Sequence, residues 1–292
     1  MALKANKVSG TYGKRQYMIR FFSEKILPRI LLVIMCVLFI LPFYWMITAS
    51  IKSDLELRAV PPIFIPMTFH FENFVNAVQF IPFFRYLLNT LTIVAGSVVG
   101  AVLTNSLVSY GLSRIQWKGR EVLFYLIVAT MFIPFPVILV ALFDIFAKFK
   151  LVDTYVPLIL PAFAGSAVLI FMMRQYLLSI PKEISDAGFV DGANEFQIFG
   201  RLILPLMKPT IGVVAIFTAL WAWNDFLAPL IYLNSEEKYT LSLGLQFFRS
   251  TRRIEYSMFM AASSLVVLPV VVIFLIFQRF FVEGITVGAV KG

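Results

Sequence analysis

A short segment near position 224 combines the side chains best suited to bind a small polar solute. It places the indole rings of Trp221 and Trp223 beside the amide of Asn224 and the carboxylate of Asp225. Aromatic faces and hydrogen-bonding groups are the two kinds of contact that a sugar ring uses, so these residues form a candidate solute site. Because an acid deep in an apolar segment must face protein or water, Asp225 also has a second interpretation. In that interpretation it and Asn224 satisfy backbone groups at a break in the helix, or pair with a partner chain.

Residues for covalent or metal chemistry are scarce in this chain. The single cysteine, Cys36, lies inside an apolar run, and His70 is the single histidine. These counts exclude a disulfide framework and a histidine-based metal cluster, and the sequence has no GxxxxGK[ST] motif for nucleotide binding. Enzymes need clustered acid, base or metal-binding groups. We therefore predict no catalytic residue, no metal ion and no cofactor.

The composition is that of a membrane protein. Hydrophobic residues occupy 60% of the 292 positions and charged residues 14%, with a mean hydropathy of +0.87. Soluble domains carry about 25% charged residues. The net charge of +9 agrees with the enrichment of lysine and arginine on the cytoplasmic side of membrane proteins, and it does not require a nucleic acid partner.

Six apolar segments are long enough to span a bilayer, which needs about 20 residues. They cover Ile30–Ala49, Tyr86–Tyr110, Val122–Phe146, Val156–Leu178, Thr210–Leu233 and Ser257–Phe280. The sequence therefore predicts an all-α integral membrane protein with six transmembrane helices, in which residues 26–292 form the membrane domain. Residues 1–25 form a basic tail, and the lysine and arginine bias places both termini in the cytoplasm. In the third span, Pro134 and Pro136 should bend the helix.

Several residues in the spans and the outer loops have predicted packing roles. The pair Gly96 and Gly100 forms a GxxxG motif that should let helices approach closely. Arg174, near the inner end of the fourth span, should extend to the membrane interface. The outer loop Asn234–Tyr256 has an apolar centre, Leu241–Phe248. That centre either contacts an external partner or folds back onto the spans.

A polar segment, residues 181–209, separates the fourth and fifth spans. It should begin with a short helix that Asp191-Gly192 ends, at a turn where Gly192 takes a positive φ and a larger side chain would hold the flanking helices apart. A second helix should follow and end at Leu204-Pro205. An apolar stripe on the second helix should anchor the segment to the spans. The stripe consists of Phe196, Phe199, Leu202, Ile203 and Leu206.

The spacing in this segment resembles the EAA loop of binding-protein-dependent ABC importer permeases. That loop has the pattern E-A-A, three residues, G, nine residues, I-x-L-P. At the same spacing this chain carries Asp186, Ala187, Gly188, Gly192, Leu202, Leu204 and Pro205. The departures are Asp for Glu, Gly for the second Ala and Leu for Ile. The segments WNDF, LSLGLQ and EGITVGAVKG also resemble the smaller permease subunit of carbohydrate importers of the maltose type.

The resemblance implies that this chain forms half of the translocation pore of an ATP-driven sugar or oligosaccharide importer in the bacterial cytoplasmic (inner) membrane. The implied partners are a second permease subunit, two cytoplasmic ABC ATPase subunits, an extracytoplasmic solute-binding protein and membrane lipid. ATP hydrolysis then belongs to the ATPase chains, and this chain is not an enzyme. A thin helix face at Ala187 and Gly188 should enter a groove of the ATPase. The residues implied in this coupling are Glu183, Asp186, Ala187, Gly188, Asp191, Gly192, Phe196, Phe199, Leu204 and Pro205.

Other functions remain open from the sequence. A secondary transporter driven by an ion gradient usually shows ionisable residues in mid-span and broken helices in repeated halves, whereas here only Asp225 and Asp144 qualify. A membrane enzyme or assembly factor is a further class, and an ABC importer permease for a non-sugar solute fits the same motif. ATP-dependent transport that survives collapse of the ion gradient would favour the importer.

Overall fold

The computed structural model describes residues 21–250 and 255–289, and every regular element within them is helical. The principal helices are α1 (Leu27–Ser50), α2 (Phe83–Ser113), α3 (Arg120–Ala129), α4 (Phe135–Lys148), α5 (Ala167–Ser179), α6 (Glu183–Val190), α7 (Glu195–Leu206), α8 (Lys208–Asn224), α9 (Leu227–Tyr232) and α10 (Tyr256–Ala289). The remaining helical segments are Phe22–Ile26, Asp54–Leu57, Glu72–Phe80, Thr130–Phe132, Val156–Ile159, Leu160–Ala164, Glu236–Lys238, Leu241–Gly244 and Phe247–Ser250. The prediction of an all-α fold is confirmed for this part of the chain.

Four to six segments have the length and composition of membrane spans. The four helical stretches that qualify alone are Glu24–Ser50, Phe83–Ser113, Val156–Ser179 and Tyr256–Ile276. Two more arise if each bent helix pair is one span, namely α3 and its following turn with α4, and α7 with α8. The predicted six spans therefore require both bent pairs to cross the membrane.

Contacts at the two ends of the bundle are consistent with six crossings. One end is named the loop side because it holds α6 and α7, and the opposite end is the far side. On the loop side, Arg114 after α2 donates a hydrogen bond to the carbonyl of Ile180 after α5, at 2.7 Å. On the far side, Asp153 after α4 pairs with Lys238 beyond α9, at 2.8 Å. Successive spans therefore alternate in direction.

The last helix is longer than the sequence predicts. It starts on the far side, where the Asp54 carboxylate accepts a hydrogen bond from the Ser257 N–H at 3.0 Å. It continues to Ala289, beyond the predicted end at Phe280, and its 34 residues make it about 51 Å long. Glycine lowers helix propensity without ending a helix, and residues 281–289 contain no proline. Most of the predicted basic tail, residues 1–20, lies outside the described residues.

The predicted bend in the third span is confirmed. The helical segments before and after Pro134 meet at 101°. Pro134 has no N–H to donate and disfavours a helical conformation at the residue before it, and Ile133 accordingly has an extended backbone with ψ 118°. Helix α4 then restarts at Phe135 with Pro136 in its first turn, where a missing N–H costs nothing.

The GxxxG motif of α2 serves helix packing, as predicted. A Cβ atom added at Gly96 would lie 2.9 Å from Ile159, and one added at Gly100 would lie 2.4 Å from the ring of Phe163. These two glycines therefore let the irregular first half of the fourth span lie directly on α2. Asn105, one turn further along α2, accepts a hydrogen bond from the Ser166 N–H at 2.9 Å and so binds the start of α5.

We expect Gly100→Leu to lower the amount of folded protein in the membrane several-fold. The new side chain has no space against the Phe163 ring, and overpacking of this kind costs about 1–3 kcal/mol. Immunoblotting of membranes, with size-exclusion chromatography in detergent, measures the effect. Gly111→Leu is the matched control, because Gly111 lies in the same helix and its Cβ would meet no atom within 4 Å. Equal amounts of both variants would contradict this account of the packing.

Candidate functional site

The polar segment between the fourth and fifth spans forms the predicted pair of helices, α6 and α7. The turn between them holds Gly192 at φ +81°, which confirms the predicted positive φ. The N–H groups of Gly192 and Ala193 bond back to the end of α6. Asn194 then caps α7, since its side chain accepts from the Gln197 N–H at 2.9 Å while the Gln197 side chain accepts from the Asn194 N–H. Reciprocal capping of this kind fixes where α7 starts.

The end of α7 differs from the prediction. The helix does not stop at Leu204-Pro205 but continues to Leu206, and it bends by 77° at the junction with α8. Residues 198–203 form a π-helical turn, and Pro205 stands at the start of the short α-helical segment that follows. A proline in a first turn does not interrupt a helix, because no intrahelical bond requires its N–H.

Gly188 faces α7 and not solvent. A Cβ atom at this position would lie 2.8 Å from Leu202 and 3.1 Å from Ile198. The predicted role of Gly188 in a thin outward face is therefore wrong, while its neighbour Ala187 is exposed. The glycine lets the two loop helices pack closely against each other.

The apolar stripe of α7 agrees with the prediction at Phe199, Leu202 and Ile203 and differs from it at Phe196 and Leu206, which are exposed. Ile198 and Ile203 are fully buried, and Phe199 packs its ring 5.0 Å from that of Tyr110 in α2. Phe196, predicted to be part of this anchor, is instead 84% exposed. The inward-facing side of α7 runs through positions 195, 198, 199, 202 and 203, and the side chain at 196 points away from it.

An exposed apolar surface results at the end of the loop. Phe189, Val190 and Phe196 are exposed there, Val190 by 88%, and these three residues are named the loop tip. Exposed apolar side chains that lie near one another in a polar segment indicate an interaction surface. The other predicted coupling residues lie close to the loop tip in sequence. Of these, Glu183, Asp186, Asp191 and Pro205 are exposed and Leu204 is half-buried.

Hydrogen bonds from α2 hold the loop on its support. The guanidinium of Arg114 donates to the carbonyl of Leu177 in the last turn of α5, at 2.8 Å, and to that of Ile180 just before the loop, at 2.7 Å. Burial lowers the pKa of Arg114. The Tyr110 hydroxyl donates to the Glu195 carboxylate at 2.6 Å. Sequence reasoning missed both anchors, because the pairs are separated by 63 to 85 positions along the chain.

Arg174 is buried, so the prediction that it extends to the membrane interface is wrong. It is 6% exposed and forms a bidentate ion pair with Glu121 at 2.7 and 2.8 Å. Its Nε donates to the Leu112 carbonyl at 3.1 Å, and its guanidinium lies 4.0 Å from the centre of the Phe124 ring. Arg174 therefore joins α5 to the ends of α2 and α3, and its charge is compensated where it lies.

The candidate solute residues lie at the break between α8 and α9. A cavity of about 590 Å³ adjoins this break, and Trp221, Asn224 and Asp225 line it. The Asp225 carboxylate accepts a hydrogen bond from the Ala228 N–H at 3.2 Å. It thus satisfies the first turn of α9, as one of the two sequence interpretations predicts. Solute contact and capping are compatible, because a carboxylate can accept several hydrogen bonds.

Trp223 does not share this cavity. It is 4% exposed and packs in a hydrophobic cluster with Tyr86 and Leu241. Its predicted place beside a solute is therefore wrong. Trp221 is half-exposed, and two residues along a helix correspond to a rotation of about 200°, so the two indoles face opposite directions.

The apolar centre of the last outer loop is buried. Leu241, Leu243 and Phe248 pack inside the protein, and a Cβ at Gly244 would lie 2.5 Å from Tyr86. Of the two alternatives for Leu241–Phe248, the exposed contact surface is therefore wrong and folding back onto the spans is correct.

A polar clasp on the far side holds the start of this outer loop. The carboxylate of Asp153 accepts from the Lys238 ammonium at 2.8 Å, from the Ser235 hydroxyl at 2.5 Å, and from the N–H groups of Asn234 and Ser235 at 3.0 Å. The hydrogen bonds from Lys238 and Ser235 hold the pKa of Asp153 well below its usual range. The clasp joins the connection between the third and fourth spans to the end of the fifth.

Comparison with known proteins gives a consistent result. Residues 93–287 match the family described as "Binding-protein-dependent transport system inner membrane component". The chain is similar to the arabinooligosaccharides transport system permease protein AraQ of Bacillus subtilis, with 34% identity over 94% of this chain and 98% of AraQ. It is also similar to the trehalose/maltose transport system permease protein MalG of Thermococcus litoralis, with 30% identity over 92% of this chain and 99% of that protein.

A solved structure shares the fold. It is a bacterial ABC transporter involved in the import of the acidic polysaccharide alginate, and one of its chains superimposes with a TM-score of 0.78. The match covers 90% of this chain and 97% of that chain, at 24% identity.

Proposed function

This chain belongs to the family of binding-protein-dependent transport system inner membrane components, and we propose from that premise that α6 and α7 couple its spans to an ATPase. The chain is a permease subunit of an ABC importer for sugars or oligosaccharides and is not itself catalytic. It is a multi-pass protein of the inner membrane. The family implies ATPase and binding-protein partners.

The loop tip is the observation that carries this proposal. Phe189, Val190 and Phe196 are exposed in a polar segment that lies between two spans. The second loop helix is fixed to α2 through Glu195 and through Phe199, whose ring packs on Tyr110. An apolar tip on a rigidly held support can bind a groove in a partner and transmit its displacement to the spans.

The mechanism proposed for the subunit is a shift between two arrangements of the spans. Two ATPase subunits bind the loop tips of this chain and of a second permease subunit, and ATP binding brings the two tips together. Each loop turns the helices attached to it, so the pore opens to one side of the membrane or to the other. This chain supplies no covalent chemistry, because its contribution is differential binding to two states of the transporter.

We place the solute pathway of this subunit along the cavity beside the break between α8 and α9. Irregular backbone in a membrane is tolerated where protein or a water-filled path covers it, and both this break and the one at Pro134 adjoin the cavity. The half-exposed ring of Trp221 offers a stacking face, and Asn224 and Asp225 offer hydrogen bonds. A second permease subunit completes the pathway.

The loop side is assigned to the cytoplasm, with both termini on that side. This assignment rests on the lysine and arginine bias and on the proposed contact with a cytoplasmic ATPase. In a Cys36→Ala background, Gln197→Cys places a thiol at an exposed position of α7. We expect a membrane-impermeant maleimide to label it in inverted vesicles and not in intact cells. Labelling from outside intact cells would contradict the orientation.

Reconstituted transport tests the class of transporter directly. Proteoliposomes that contain this subunit with its partner subunits should accumulate radiolabelled oligosaccharide only when ATP and the solute-binding protein are present. Accumulation should persist when a protonophore collapses the ion gradient. Uptake that depends on the ion gradient and not on ATP would favour a secondary transporter. ATP-driven uptake of a non-sugar solute alone would favour an ABC importer permease for a non-sugar solute.

A further inference from the structure

Helix α2 is the continuous element at the centre of the membrane domain. Its 31 residues, Phe83–Ser113, make it about 46 Å long, which exceeds the hydrocarbon core of about 30 Å. The third, fourth and fifth spans are each interrupted, at Pro134, at Gly165 and at Asp225 respectively. A continuous helix can carry a displacement from one face of the membrane to the other without an internal hinge.

On the loop side, α2 contacts both ends of the segment that contains α6 and α7, which is named the coupling loop. The Tyr110 hydroxyl donates to the Glu195 carboxylate in the first turn of α7 at 2.6 Å, and the Tyr110 ring packs on Phe199. Arg114, directly after α2, donates to the carbonyl of Ile180 directly before the loop. A displacement of α6 and α7 therefore acts on the loop-side end of α2.

On the far side, α2 binds the backbone of the last outer loop. The Asn89 amide donates to the carbonyls of Glu237 at 2.8 Å and Tyr239 at 2.9 Å. The hydroxyl of Thr90 accepts a hydrogen bond from the Leu241 N–H at 3.0 Å and is itself buried. Because these bonds go to main-chain atoms, the path of residues 237–241 is tied to the position of α2.

We propose that α2 links the coupling loop to the outer segment 237–241, with Tyr110 and Asn89 as the positioning residues at its two ends. This proposal rests on the coupling function proposed for α6 and α7. Movement of the loop by the ATPase shifts the outer segment through α2. By thermodynamic linkage, an external partner that binds the outer segment in one of its positions biases the position of the loop through the same helix. ATP hydrolysis responds because the ATPase binds the loop.

Two single variants test the link in the complete reconstituted transporter with its solute-binding protein. Tyr110→Phe removes the hydroxyl and keeps the ring against Phe199, and Asn89→Ala removes the amide. We expect each variant to lower the stimulation of ATP hydrolysis by the solute-binding protein about fivefold or more. Basal hydrolysis and subunit composition should stay unchanged. Because the two residues act in series on one helix, the double variant should show the same stimulation as the more impaired of the two single variants.

Matched controls separate this role from a loss of stability. Thr92→Val removes a hydroxyl that donates only to the Leu88 carbonyl of the same helix. Tyr125→Phe removes an exposed hydroxyl that has no hydrogen-bond partner in the described part of the chain. Both variants should be stimulated normally. Glu195→Gln keeps an acceptor for the Tyr110 hydroxyl and should retain most of the stimulation, whereas Glu195→Ala should lose it. The Glu195 pair keeps the test decisive if Tyr110→Phe assembles poorly.

Normal stimulation of either Tyr110→Phe or Asn89→Ala would overturn the proposal. So would equal stimulation of Glu195→Gln and Glu195→Ala. Failure of the proposed coupling function is a different result. If the proposed coupling function is wrong, charged substitutions at Val190 and Phe196 will leave ATPase binding and solute uptake unchanged. These substitutions do not alter the contacts of α2.

Discussion

Gly192→Leu is expected to lower solute uptake about tenfold or more while the chain remains in the membrane. Gly192 has φ +81°, a conformation that costs a leucine about 1–2 kcal/mol. That cost corresponds to a factor of about 5–30 in the equilibrium ratio of the native turn to other conformations. No atom of the described chain lies within 4 Å of an added Cβ, so the prediction that bulk would hold α6 and α7 apart is wrong. The leucine would instead stand on the exposed surface of the turn.

Gly192→Asn is the control for this prediction. Asparagine adopts the left-handed conformation more readily than other residues with a side chain, so this variant should keep most of the uptake. Uptake of radiolabelled solute is measured beside membrane abundance and ATPase co-purification. Normal uptake by Gly192→Leu at normal abundance would show that the loop is only a connector.

The double variant Val190→Asp/Phe196→Asp is expected to release the ATPase. Both side chains are more than four-fifths exposed, and burying each in a groove contributes about 1.5–3 kcal/mol. Losing about 3 kcal/mol or more weakens binding about a hundredfold, since every 1.4 kcal/mol is tenfold. The spans do not depend on these residues, so membrane abundance should be unchanged. ATPase retained on affinity-purified permease measures the effect.

The control for this pair lies on the far side of the protein. Leu55 and Phe71 are also strongly exposed apolar residues, but they precede α2 on the side opposite the loop. Leu55→Asp/Phe71→Asp should keep the ATPase bound. If both double variants retain it equally, the loop tip does not form the contact.

Local sequence signals predicted the parts of the site that depend on backbone conformation. The Asp191-Gly192 pair marks a turn at which Gly192 takes a positive φ, as predicted. The interruption at Pro134 follows from the missing N–H of proline. Hydrophobicity and length likewise predicted the spans, because the bilayer sets both.

Side-chain directions could not be predicted in the same way, because tertiary packing decides them. Gly188 faces α7, and Phe196 faces away from the spans, although both belong to one spacing pattern. The partner of Arg174 is Glu121, 53 residues away, so only the packing of α3 on α5 reveals the ion pair. For Trp223, the helical rotation from Trp221 was a usable signal that the two rings do not share a cavity.

Crosslinking from the loop tip tests the central claim, that α6 and α7 bind the ATPase, most directly. In the Cys36→Ala background of the assembled transporter, Val190→Cys and Phe196→Cys should each crosslink to the ATPase subunit through a short bifunctional maleimide. Ile198→Cys should not, because Ile198 is fully buried against the spans of its own chain. If neither Val190→Cys nor Phe196→Cys crosslinks in a transporter that still takes up solute, the coupling account is contradicted.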